Sequence, residues 1–148
     1  MNKIDKVLFK GKTHTTASRG DGSSRGGHGA LDIQLSSGGT KAELFTAVPP
    51  HPTAERFFAG AWSACYSAAL GHVASQMKVK LPPDLSVEIE VDLGQSGTAW
   101  LLEARLTVRA PGVEKDVVER LAHSAHEICP YSRATRGNID VAVIVATA

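Results

Sequence analysis

The chain has 148 residues, of which 43% are hydrophobic and 21% charged, with 16 Lys and Arg against 15 Asp and Glu for a formal net charge of +1. That length suits a single domain, residues 1–148, with a core of useful size, and the composition excludes a wholly disordered chain. The balanced charge argues against a general nucleic-acid binder, and no apolar run approaches the roughly 18–20 residues of a membrane-spanning helix.

The polar opening Met1-Asn2-Lys3-Ile4-Asp5-Lys6 does not read as a secretory leader, so a cytoplasmic location is expected. A first strand is predicted to begin at Val7-Leu8-Phe9 and run toward Thr16. The glycines at 20, 22, 26, 27 and 29 mark a loop. Leu31, Ile33 and Leu35 alternate with Asp32 and Gln34 as in a half-buried strand, which ends at Ser36-Ser37-Gly38-Gly39. Pro49, Pro50 and Pro52 resist regular structure.

Thr53 is placed to cap a long central helix over Ala54–Gln76. Phe58, Trp62, Cys65, Ala69 and Val73 recur on it at helical spacing, and Phe57, Ala61, Ala64 and Ala68 widen its apolar surface. After Pro82-Pro83, Val87, Ile89, Val91 and Leu93 alternate with acidic residues. Gly94–Gly97 reads as a turn. Trp100, Leu102, Ala104, Leu106 and Val108 then alternate again, which makes an antiparallel hairpin. A second helix is expected from about Glu114 to Ile128, with Val118, Leu121, Ala125 and Cys129 as its stripe and Pro130 as its stop. Ile139, Val141, Val143 and Val145 fit a last strand. Helices packed on an antiparallel sheet give the α+β class.

Two cysteines, Cys65 and Cys129, are too few for the disulfide framework of a small secreted domain. The plain reading makes each a small buried hydrophobe. Both lie on stripes that face one small core, although their spacing does not show that they meet. If they meet, a thiol pair follows: one thiolate attacks an oxidant and becomes a sulfenic acid, and the other condenses with it to a disulfide. The attacking thiol then needs a nearby cation. Arg19, on its glycine-rich loop, is the preferred candidate, with Arg25 and Arg136 as competitors. Glu55 at the helix start suits a carboxylate that holds such an arginine bidentately. Zinc is the competing use of Cys with His. His123, His126 and Cys129 match the usual ligand spacing weakly, and there is no Walker loop or dinucleotide fingerprint.

The run Ala125-His126-Glu127-Ile128-Cys129-Pro130-Tyr131-Ser132-Arg133-Ala134-Thr135-Arg136-Gly137-Asn138-Ile139-Asp140-Val141 resembles the second-cysteine motif of the organic hydroperoxide resistance proteins, within the wider Ohr/OsmC family. Glu55-Arg56-Phe57-Phe58-Ala59-Gly60-Ala61-Trp62-Ser63-Ala64-Cys65-Tyr66 resembles that family's first-cysteine helix. Thr53-Ala54-Glu55 stands where the family usually has Asn-Pro-Glu, Arg133 stands where it has Asn, and Arg19 sits one place from the family's arginine. The resemblance implies an Ohr/OsmC-like fold of antiparallel sheets with a long central helix and a second helix, assembled as an intertwined homodimer. It implies a peroxidase that reduces alkyl and fatty-acid hydroperoxides to alcohols. Cys65 would be the peroxidatic cysteine, Cys129 the resolving one, Arg19 the activating arginine and Glu55 its carboxylate. Phe58 and Trp62 fit a hydrophobic substrate. No bound cofactor or metal is implied. The reductant would be a dihydrolipoyl group, on a lipoylated protein or as dihydrolipoamide. Two other readings stand beside this one: an OsmC-type peroxidase of broader peroxide range, and a non-catalytic dimeric module with structural cysteines.

Overall fold

The computed structural model describes residues 4–16 and 54–147. The expectations for the glycine-rich loop, the Leu31–Leu35 strand, the proline cluster, the Thr53 cap, Arg19 and Arg25 lie outside these residues. Among the described residues seven elements follow one another: β1 (Lys6–Thr16), α1 (Ala54–Gln76), β2 (Ser86–Ser96), β3 (Ala99–Arg109), α2 (Lys115–Ile128), α3 (Pro130–Thr135) and β4 (Asp140–Ala146). The strands form one sheet in the order β1-β2-β3-β4, and α1 and α2 lie against it.

The sheet is α+β as expected but mixed rather than antiparallel. β1 and β3 flank β2 antiparallel, whereas β4 runs parallel to β3, from Glu103 opposite Asp140 to Arg109 opposite Ala146. The cause is the connection. A two-residue turn joins β2 to β3 and makes them antiparallel, whereas the longer connection through α2 and α3 gives β4 the length to return parallel to β3.

Period-two alternation sorts the β2 and β3 side chains. Val87, Ile89 and Val91 face the helices together with Ala104, Leu106 and Val108, all nearly inaccessible. The opposite face carries an ionic ladder: Lys12 Nζ lies 2.7 Å from Glu88, and Arg105 Nη2 lies 2.9 Å from Glu90 and 2.8 Å from Asp92. The hairpin is longer than the glycines suggest. Gly94 is not in the turn but inside the ladders, opposite both Leu101 and Val7, where a Cβ would run into Ile4. The turn is Gly97-Thr98 alone, with Gly97 at φ 58°, the conformation a type II′ turn needs at its first central residue.

α1 matches its predicted span. It buries Ala59, Trp62, Ser63, Tyr66, Ala69, Leu70, Val73 and Ala74. Ala61, Ala64 and Ala68 do not widen that face; they are exposed. Alanine carries too little apolar area to decide which side of a helix turns inward. β1 crosses the start of α1 at the buried Gly11, where a Cβ would collide with the backbone of Glu55 and Arg56. No helix among the described residues is long and apolar enough to cross a membrane.

Candidate active site

Pro130 stops α2 and also starts α3. Its ring pushes the preceding residue out of the helical region, and Cys129 sits at φ −59°, ψ 123°. Proline itself is well suited to a first helical position, which needs no N–H acceptor. The sequence reading took it only as a stop and missed α3. Cys129 thus ends one helix and opens the next. Its N–H donates to the Ala125 carbonyl at 2.8 Å, and its carbonyl accepts from the Arg133 N–H at 2.9 Å. The backbone of this corner is fully bonded, so the direction of the Cys129 side chain is set.

That direction is toward α1. The Cys129 and Cys65 sulfurs lie 3.5 Å apart, and both residues are free thiols. Cys129 is wholly buried, whereas Cys65 is half-buried. Burial pushes the Cys65 thiol up from its ordinary value. The Tyr131 backbone N–H pulls the other way, and the neighbouring Cys129 raises it further. Tyr131 lies in the first turn of α3, where backbone N–H groups have no acceptor within the helix.

Two buried hydrogen bonds fasten the elements that carry the cysteines. Trp62 Nε1 donates to Ser132 Oγ at 3.0 Å, joining α1 to α3. Tyr66 Oη donates to the Ala122 carbonyl at 2.7 Å, joining α1 to α2. Sequence reasoning missed Ser132 and Tyr66 as functional neighbours. The available signal was the need of every buried indole and phenol for a polar partner. Trp62 also meets Phe58 edge-on, with ring centroids 5.6 Å apart.

An apolar cleft of about 380 Å³ opens beside the pair, lined by Phe58, Ala61, Tyr131, Ala134 and Thr135. Ala61 lies one turn before Cys65 on α1. Phe58 lines the cleft as expected for a hydrophobic ligand, but Trp62 does not, because it has no exposed surface.

Glu55 is half-buried in the first turn of α1. Arg136, a competitor for activating Cys65, is engaged elsewhere. Its Nη1 lies 3.0 Å from Glu127 Oε2, and its Nη2 donates to the His126 carbonyl at 3.1 Å. His126 is held below its ordinary value, first by burial and then by the Arg136 charge. Among the described residues no three His, Cys, Asp or Glu gather where they could hold a metal ion.

The OsmC-like protein family matches residues 47–144. The organic hydroperoxide resistance protein of Xanthomonas axonopodis pv. citri is 38% identical over 147 residues, which cover 99% of this chain and 100% of that protein. The chain belongs to the Ohr/OsmC family. Solved Ohr/OsmC structures agree. An organic hydroperoxide resistance protein from Elizabethkingia anophelis superposes with a TM-score of 0.63 at 28% identity, over 82% of this chain and 99% of that one. One from Legionella pneumophila gives 0.61 at 28% identity, over 80% and 98%.

Proposed function

We propose that this Ohr/OsmC protein is a thiol-dependent peroxidase that reduces organic hydroperoxides to alcohols. The observation that carries the reading is the 3.5 Å approach of two free thiols of unequal exposure beside an apolar cleft. The Cys65 thiolate attacks the terminal peroxide oxygen. The O–O bond breaks, Cys65 becomes a sulfenic acid, and the alkoxide takes a proton to leave as the alcohol. The Cys129 thiolate then attacks the Cys65 sulfur. The S–S bond forms, the S–O bond breaks, and the hydroxide leaves as water. A dihydrolipoyl dithiol, free or on a lipoylated protein, returns the disulfide to two thiols and becomes the cyclic disulfide.

Arg19 lowers the Cys65 thiol and orients the peroxide, with Glu55 holding the arginine. The upward push of burial on Cys65 supports the need for such a cation. The cleft at Phe58 and Tyr131 takes the alkyl chain. The working unit is an intertwined cytoplasmic homodimer. Its support is the exposed face of Ala61, Ala64, Ala68 and Gly71 on a helix whose other side is core, since small residues permit close packing.

The test is intact mass of the reduced protein after one equivalent of cumene hydroperoxide. The expected result is loss of about two mass units per chain, reversed by dihydrolipoamide and absent in Cys65→Ser. Unchanged mass with both thiols retained would overturn the reading and leave a module with structural cysteines. Similar rates with cumene hydroperoxide and hydrogen peroxide would instead favour the broader OsmC-type range. Sedimentation as a monomer would overturn the dimer.

A further inference from the structure

We infer that the Trp62–Ser132 hydrogen bond sets the distance between the two sulfurs and so governs disulfide formation; as a statement about turnover, this rests on the peroxidase reading. Trp62 precedes Cys65 by three residues on α1, and Ser132 follows Cys129 by three residues into α3. Three helical residues are about 4.5 Å of rise. The bond therefore spans the same two elements as the sulfur pair, roughly one turn away. Both partners have no exposed surface, so water does not replace either. The indole N–H is a donor only, and leaving it unpaired in the core is costly.

One other feature of α3 reaches the pair, the Tyr131 N–H on the Cys65 thiol, but it follows that sulfur and does not tie α3 to the body of α1; the remaining features do not supply the constraint. With six residues, the helix is too short to hold its place by its own hydrogen bonds. The Thr135 hydroxyl contacts carbonyls of Tyr131 and Ser132 within the same element. Tyr131 and Ala134 share the lining of the apolar cleft with Phe58 and Ala61, and apolar burial is non-directional and tolerates sliding. A directional bond does not. Cys129 is joined to α3 through Pro130, so a shift of α3 carries the resolving sulfur with it. Reacting atoms need to lie about 3–3.5 Å apart in line, and a displacement of 1 Å can cost about a hundredfold. Trp62 and Ser132 are positioning residues in this scheme. Neither touches the peroxide.

The experiment separates the two chemical steps in Ser132→Ala, Trp62→Phe and the double variant. Rapid-quench mass spectrometry follows formation of the Cys65 sulfenic acid and then the disulfide. The first step is expected to stay within about twofold of wild type, while the second slows by about tenfold or more. The double variant is expected to be no slower than the slower single variant, because both changes remove one bond. Disulfide formation at the wild-type rate in either folded variant would overturn the inference, whatever the change in melting temperature.

A second readout does not use peroxide. Each protein is equilibrated with a dithiothreitol redox buffer, and the disulfide fraction is measured. A tenfold weaker closure moves the midpoint potential up by about 30 mV. Unshifted potentials in both variants would also overturn the positioning role. A wild type inert to peroxide whose potential still shifts in the variants would overturn the peroxidase reading and keep the positioning role.

Discussion

Cys65 on α1 and Cys129 at the α2–α3 corner hold their sulfurs 3.5 Å apart as free thiols. A disulfide is about 2.05 Å long, so closure needs an approach of only about 1.5 Å. Oxidation is therefore expected to leave the secondary structure intact. Far-UV circular dichroism of the two redox states should coincide, while the near-UV bands respond through Trp62 and Tyr66. Cys129→Ser should oxidise once, stall as the sulfenic acid, and gain a second oxygen under excess peroxide. Recovery of the Cys65 thiol by dihydrolipoamide in that variant after excess peroxide would contradict a resolving role.

The Cys65 thiol is pushed up by burial more than the Tyr131 N–H pulls it down. Its thiolate fraction, and hence its alkylation rate, rises with pH. In Arg19→Ala the midpoint of that rise is expected above the ordinary thiol value of about 8.5. With Arg19 intact it should fall below that value. Coincident iodoacetamide pH–rate curves for the two proteins would remove Arg19 from the site and reopen the question for Arg25.

Tyr66 donates to a carbonyl inside α2, an acceptor that a helix already pairs with the residue four positions on. Tyr66→Phe therefore leaves no orphaned group and loses one neutral bond, about 1 kcal/mol. A drop of roughly 2–4 °C in melting temperature is expected for a chain of this length. A loss several times larger would mean that the phenol supports more than this one bond.

Gly11 marks a close crossing of β1 and α1. A Cβ there meets the backbone of Glu55 and Arg56, which cannot rotate away as a side-chain tip would. Gly11→Ala should destabilise by about 1–3 kcal/mol, read as a lower urea midpoint. It should also lower peroxidase activity, because it displaces the start of α1 that carries Glu55. A midpoint equal to wild type would show that β1 shifts freely.

The outer face of the sheet predicts an acid limit. Lys12 holds the Glu88 carboxyl low, and Arg105 does the same for Glu90. Groups whose folded values are depressed add stability above the ordinary carboxylate range, near 4.3, and lose it as pH falls through the depressed values. Melting temperature should decline over that acid window. Lys12→Met should flatten the decline, and added salt should weaken the whole effect. An unchanged acid profile in Lys12→Met would assign the decline to other groups.

The alternation at Val87–Val91 and Ala104–Val108 made the hairpin legible, because period two reports a half-buried face directly. The bounds of α1 were equally plain, framed by the proline cluster and by Pro82-Pro83. Three features were not. β4 reads as a strand from Val141, Val143 and Val145, but its direction depends on the crossover that precedes it. α3 was hidden because proline marks both the end of one helix and the first turn of another. The outward turn of Ala61, Ala64 and Ala68 was hidden because alanine fits either side. The two cysteines were conspicuous as residues, but 63 intervening positions say nothing of a 3.5 Å contact. Ser132 gave no signal of its own; only the indole it satisfies makes it matter.

The unequal burial of the two cysteines has an analytical consequence. Cys129 has no exposed surface, whereas Cys65 is half-buried. A bulky thiol reagent added to the folded, reduced chain should label one site, and two after denaturation. A stoichiometry of one is then the mark of the intact reduced protein rather than of partial oxidation. Only a denatured count of zero reports that the pair has closed.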